Sequence, residues 1–294
     1  MRPASTGMST RSAAAWCGGL RLPLLLPALT LLLLCFFAPL GITLRNSFNR
    51  FVPGGLQEPA FVLDNYSKFM FDRYYAAILL RTLALGAGVA LVTLLLGYPL
   101  AYAIARSRSR WKGLLIAATL IPLMTSVVVR SYGWTILLSN SGVINDMLAA
   151  VGLPRLKLLF TMTGVVLSLT QVMMPFLVLT LIGVLQNISE DLEDAARGLG
   201  AGRWHVVRDV LLPLSMPGIA AGSLLVFALS ISAFATPRLV GGASIEVMAT
   251  MIYDQVLNAL NWPFASATSI IMLAIVLVLA ILQSRLLRIR AAGQ

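Results

Sequence analysis

Charge is what this chain has least of. Only 11% of its 294 residues are charged, against about 25% in an ordinary soluble domain. Acid is scarcer still, with 11 Asp and Glu facing 22 Lys and Arg. No carboxylate falls between Asp72 and Asp146, between Asp146 and Glu190, between Asp209 and Glu246, or after Asp254. Histidine occurs once, as His205, and cysteine twice, as Cys17 and Cys35. Each shortage excludes something. A lone histidine with no cysteine or second histidine near it makes no metal site and no nucleophile-base pair, so no catalytic residue is assigned. His205 is expected as an exposed residue. Cys35 sits in an apolar run far along the chain from Cys17, outside disulfide reach. No phosphate-cradling glycine loop with lysine is present, so ATP is not bound by that route. Apolar runs without carboxylates also argue against a carrier coupled to protons or cations, which needs an ionisable group inside the membrane.

What is abundant is apolar sequence: 59% of residues are hydrophobic and mean hydropathy is +0.88. This is an all-α polytopic membrane protein. The net charge of +11 does not imply nucleic acid, because the basic residues flank apolar runs, where topology and anionic lipid account for them.

Residues 1–21 read as a polar cytoplasmic tail carrying Arg2, Arg11 and Arg21. Residues 22–44 form a first span, long enough for a hydrocarbon core of about 30 Å and too long for the roughly 7 to 15 residues of a signal-peptide core. Residues 45–76 form an outer loop with a Pro53-Gly54-Gly55 turn and an aromatic second half, suited either to the interfacial belt or to docking and substrate entry. A five-span core, residues 77–288, follows. Its second span, 77–105, is interrupted at Gly97-Tyr98-Pro99 and exits into Arg106, Arg108, Arg110 and Lys112, a cluster that marks the cytoplasmic side. The third span, 113–138, kinks at Pro122 and carries Arg130, Tyr132 and Trp134; Arg130 either lines the route or pairs with a backbone group or helix end. A short helix is expected within 140–157. The fourth span, 158–186, carries Gln171 and a Pro175 kink. The fifth, 214–236, is followed by an outer segment with Glu246, Tyr253 and Asp254 around a short helix, and the sixth by Arg285, Arg288 and Arg290. Residues 289–294 are a cytoplasmic tail, so six spans leave both termini inside.

The polar island at 188–213 organises the rest. Asn187 offers a capping side chain, and Glu190, Asp191, Glu193 and Asp194 suit the positive end of a short helix that should begin near Ser189. Ala195 and Ala196 are small and permit close approach. Gly200 and Gly202 are expected at positive φ, where they end the helix. Trp204, Val207 and Leu211 then recur as an apolar stripe opposite Arg203 and Arg208, and Pro213 and Pro217 break into the next span. The result is a helix-turn-helix elbow at the membrane face.

Asp194, Ala195, Ala196, Gly200, Val210, Leu212 and Pro213 keep the spacing of the elbow motif of ABC importer permeases, with Asp194 and Val210 standing for the usual glutamate and isoleucine. On this resemblance the fold is that of a type I-like ABC importer permease. The elbow is then a coupling helix seated on a cytoplasmic ABC ATPase dimer through Glu193, Asp194, Ala195, Ala196, Gly200, Ala201, Arg203 and Pro213. The runs Leu96 to Tyr102, Val129 to Trp134, Ser141 to Asn145 and Thr236 to Gly242 resemble the first permease of spermidine/putrescine importers. That likeness implies a bacterial inner-membrane location, a second permease subunit, an extracytoplasmic solute-binding protein, and ATP and Mg held by the ATPase with no cofactor or metal in this chain. Permeases for opines, amino-acid-like and other small organic solutes look similar. Along the path, Tyr132, Trp134 and Tyr253 offer aromatic faces to a cation, Glu246 and Asp254 offer charge at the outer mouth, and Arg130 and Gln171 complete the candidate lining.

Overall fold

The structure, a computed structural model, describes residues 21–54 and 56–292. The expected tail at 1–21 therefore lies outside the described residues apart from Arg21, as does Cys17. Helix α1 spans Arg21–Asn46, followed by a two-stranded antiparallel hairpin of β1 (Arg50–Val52) and β2 (Leu56–Glu58), in which Phe51 faces Gln57. Short α2 (Asp64–Phe71) leads into α3 (Arg73–Ala105). Then come α4 (Lys112–Met124), α5 (Val127–Leu137), α6 (Val143–Ala150), α7 (Met162–Gln186) and the elbow helix α8 (Glu190–Gly198). A long helix α9 (Arg203–Ile231), short α10 (Met248–Leu257) and α11 (Trp262–Ala292) complete the chain. Among the described residues five helices are long and apolar enough to cross a membrane, and the bent pair α4 and α5 makes up to six.

Helix α7 is the hub, packed between α3 and α9 with 61% of its most apolar window buried. Lipid is as apolar as leucine, so close backbone approach rather than water exclusion holds spans together. Gly218 of α9 supplies that approach: a Cβ there would lie 2.6 Å from Val184 of α7. By contrast, none of the corresponding window of α1 is buried.

The first loop is structured. Asn65 donates to the carbonyls of Ser47 and Asn49, the Ser47 and Tyr66 hydroxyls meet at 2.7 Å, and Arg45 donates to Asn49 and to the Ala60 carbonyl. Lys68 of α2 sits over the Phe264 ring of α11. The hydrogen bonds hold the loop together, and Lys68 ties it to the last span.

Several expectations change. Helix α3 starts at Arg73 rather than 77 and runs unbroken through Gly97, Tyr98 and Pro99; only one backbone donor is lost at Pro99, and neighbouring helices tolerate that inside a membrane. Span three is no mild kink but a 96° break. It falls at Thr125 and Ser126, both extended, a few residues past Pro122. Pro213 and Pro217 break nothing, and the helix continues. Pro213 lacks the N–H an α-helix would require and stands just past the π turn at 206–211, which absorbs that gap; Pro217 sits inside the regular helix that follows and loses one backbone donor there, as Pro99 does in α3. Likewise α11 continues through most of the expected tail at 289–294, of which residues 293–294 lie outside the described set. Both expected short outer helices are present, as α6 and α10.

Candidate functional site

The elbow forms where its side chains dictate. Ser189 caps α8 by accepting from the Asp191 amide at 3.2 Å, and Glu190, Asp191 and Glu193 occupy the first turn. Asn187 instead ends α7, its amide bonded back to Gly183. At the other end the Ala201 amide reaches the Ala196 carbonyl and the Gly200 amide that of Arg197, at 3.0 and 2.9 Å. This paired closure requires a left-handed residue, and Gly200 supplies it at φ +88°. Gly202 does not: its φ is −68°, as the extended residue that opens the next helix.

Glu193 is the electrostatic centre of the elbow, and it faces inward. Its residue is 2% exposed. The carboxylate takes Arg106 Nε at 2.6 Å, the Tyr102 hydroxyl at 3.0 Å and Arg197 Nη2 at 3.2 Å. Arg106 also donates to the Ile188 carbonyl at 3.0 Å. The clamp fastens α8 to the C-terminal end of α3. Nearby, Arg108 pairs with Glu190 on the surface and holds that carboxyl below its ordinary pKa by hydrogen bonding and charge. The assignment of Glu193 to a partner surface is thus corrected, since a carboxylate with three donors and no exposure is a rivet. Arg106, Tyr102 and Arg197 are the members sequence reasoning missed; in the sequence Arg106 stands out only as a topology marker.

What the elbow presents outward is different. Leu192, Ala195 and Leu199 are exposed along one face of α8, Leu199 to 91%, with Asp194 and Gly200 exposed beside them. Ala196 and Ala201 are half-buried against the core. Trp204 leaves the expected buried stripe and is 68% exposed, whereas Val206 and Leu211 are buried. The π turn explains this, because residues five apart share a face there. Arg203 and Trp204 line a groove between α3 and α9, Pro213 is exposed, and His205 is exposed as expected.

The candidate path residues fall into separate places. Trp134 Nε1 points to Gln171 Oε1 at 3.4 Å, and both line a cavity of about 520 Å³ in the crook of the broken span, with Thr170, Met174 and Pro175. Tyr132 is 56% exposed. Arg130 is half-buried, and its Nε and Nη1 have no acceptor among the described residues; the expected pairing with a backbone group or helix end does not form among them. Tyr253 stacks on Phe234 with centroids 4.4 Å apart, and both line a second cavity of about 740 Å³ between α9, α10 and α11. Neither carboxylate is free: Asp254 pairs with Arg238 at 3.1 Å, and Glu246 accepts from the Tyr74 hydroxyl at 2.6 Å. No cluster of three or more metal-ligating side chains occurs among the described residues.

Residues 93–289 match the family described as the binding-protein-dependent transport system inner membrane component. The chain is 33% identical over 241 residues to the spermidine/putrescine transport system permease protein PotB of Escherichia coli K12, covering 81% of this chain and 87% of that one. Identity to PotB of Salmonella typhimurium LT2 is also 33%, over 81% and 84%. In three dimensions it superposes with a TM-score of 0.70 on a chain of a bacterial ABC transporter involved in the import of the acidic polysaccharide alginate, at 22% identity over 94% of this chain and 99% of that one.

Proposed function

Because the chain belongs to the family of binding-protein-dependent transport system inner membrane components, we propose that it is the permease subunit of an ATP-driven importer whose substrate is a polyamine such as spermidine or putrescine. The observation that carries the substrate is the 33% identity over 241 residues to permeases named for those two compounds. Membership makes the chain a conduit and not a catalyst. ATP and Mg belong to a cytoplasmic ABC ATPase dimer, and a second permease and an extracytoplasmic binding protein complete the assembly. Both termini and the elbow lie on the cytoplasmic side of the inner membrane.

Geometry supports this reading at two points. The face of Leu192, Ala195 and Leu199, with Asp194 and Gly200 beside it, is an apolar strip on a polar connection; it seats on the ATPase, and the Glu193 rivet behind it carries the ATPase's motion into α3 without slack. Inside the span region the two cavities offer aromatic faces at Trp134 and Tyr253, which attract a cation. Arg130, whose inner nitrogens lack acceptors, receives them from the second permease, since an unpaired charge within a bilayer is costly.

Uptake by the reconstituted two-permease complex with its ATPase and binding protein tests the proposal. Spermidine or putrescine should accumulate with ATP and stimulate its hydrolysis. Uptake of an opine, an amino-acid-like solute or an anion with no polyamine response would refute the substrate assignment.

A further inference from the structure

The groove between α3 and α9 has a chemistry that import does not use. It encloses about 660 Å³, within the range of about 300–1,000 Å³ that holds small molecules. Leu94, Leu95 and Pro99 form one wall and Leu212, Met216 and Ile219 the other. At the elbow end the lining changes character. Tyr102, Arg203 and Trp204 stand there, and Arg203 forms no ion pair with any described residue. The neighbouring charges are spoken for: Glu193 behind Tyr102 is held by Arg106 and Arg197, and Asp209 lies beside Arg208. An apolar slot inside two membrane-spanning helices, closed at the interface by a free guanidinium and an exposed indole, matches one ligand form. Its tail is hydrocarbon and its head is an anion at interfacial depth.

We propose that this groove binds an anionic phospholipid from the leaflet on the elbow's side, with an acyl chain between α3 and α9 and the phosphate on Arg203 under the Trp204 indole. Charge complementarity selects lipid over a second protein helix, because Arg203 brings an unmatched positive charge to the mouth of an otherwise apolar slot. Tyr102 links the site to the rest of the molecule, since the same side chain walls the groove and donates to Glu193 of the rivet. Lipid in the groove thus props the α3 side of the elbow. The inference is independent of substrate, and it moves Arg203 from the set expected to seat the ATPase to the lipid.

The assembled transporter in nanodiscs of mixed phosphatidylcholine and phosphatidylglycerol tests it, with the acyl chains of one lipid or the other brominated. The signal is the part of the tryptophan emission that disappears in Trp204→Phe. Brominated phosphatidylglycerol should be preferred about fivefold at that indole, the ratio matching the ~1 kcal/mol that a basic residue contributes at an anionic surface. Arg203→Gln should remove the preference, Arg203→Lys should keep it, and Arg110→Gln, a cation elsewhere on the same face, should leave it unchanged. Equal quenching by both lipids, or a preference that survives Arg203→Gln, would overturn the proposal. So would no quenching by either, the result expected if the second permease fills the groove.

Discussion

Cutting the rivet from one side should loosen the elbow far more than removing both of its halves. In Arg106→Met the Glu193 carboxylate, 3% exposed at its side chain, keeps only Tyr102 and the half-exposed Arg197. Removing one partner of a buried pair typically costs about 3–5 kcal/mol. Arg197 remains in place, so the lower end applies, about 3 kcal/mol. At about 1.4 kcal/mol per factor of ten, this raises the local opening of α8 roughly a hundredfold. Hydrogen–deuterium exchange of the α8 amides in the assembled transporter reads that opening directly. The double variant Arg106→Met with Glu193→Leu replaces the pair by apolar groups and should return exchange to within about tenfold of wild type, because the desolvation penalty goes with the charges. The surface pair Arg108 and Glu190, with side chains 86% and 45% exposed, provides the contrast, and Arg108→Ala should change little. Wild-type exchange in Arg106→Met, or a double variant as loose as the single one, would refute the claim that the buried pair holds the elbow.

Further outcomes follow from the same geometry. Gly200→Ala puts a side chain at φ +88°, costing about 1 kcal/mol of elbow closure; its Cβ meets none of the described residues, so any larger loss of ATPase co-purification measures contact with the partner. Leu199→Glu, at a 91% exposed position, should abolish co-purification of the ATPase while the permease pair still elutes as a folded complex. Gly218→Val forces a methyl-bearing carbon against the stiff Val184 side chain and should lower thermal stability by about 1–3 kcal/mol, read by a melting assay in detergent. The lowered pKa of Glu190 sets a sign. Its pairing with Arg108 contributes above the ordinary carboxylate pKa and is lost as pH falls through the lowered value, so the small effect of losing Arg108 on α8 exchange should be confined to the neutral side of that window.

The spans, the elbow and the limits of its helix were legible because each rests on a local rule, although the cap is Ser189 and not Asn187. Ser189 starts the helix, Gly200 ends it, and runs such as 162–186 are too long and apolar to be anything but spans. What stayed hidden depends on contacts between distant residues or on small shifts of helical pitch. Nothing local distinguishes Glu193, which turns inward, from Asp194, which turns outward; only the position of Arg106, carried there by α3, decides. Pro99 and Pro122 look alike in sequence, yet one sits in a continuous helix and the other precedes a right-angled break. Trp204 was misplaced because a periodicity of 3.6 was applied across a π turn. Glu246 and Asp254 read as free charge until Tyr74 and Arg238 arrive from other segments.

That π turn also sets where the count of residues matters. Successive residues of an α-helix advance by about 100°. In the wide turn at 206–211 each residue advances less, so its six residues cover about the arc of five α-helical ones and take in one residue more without turning the elbow away from the span that follows. Deleting one residue there would leave the exposed strip of α8 on nearly the same bearing, whereas deleting one from the regular helix at 218–231 would swing that strip by about 100° relative to the rest of the span. A change of length at the π turn is therefore absorbed, and the same change further along α9 is a change of direction.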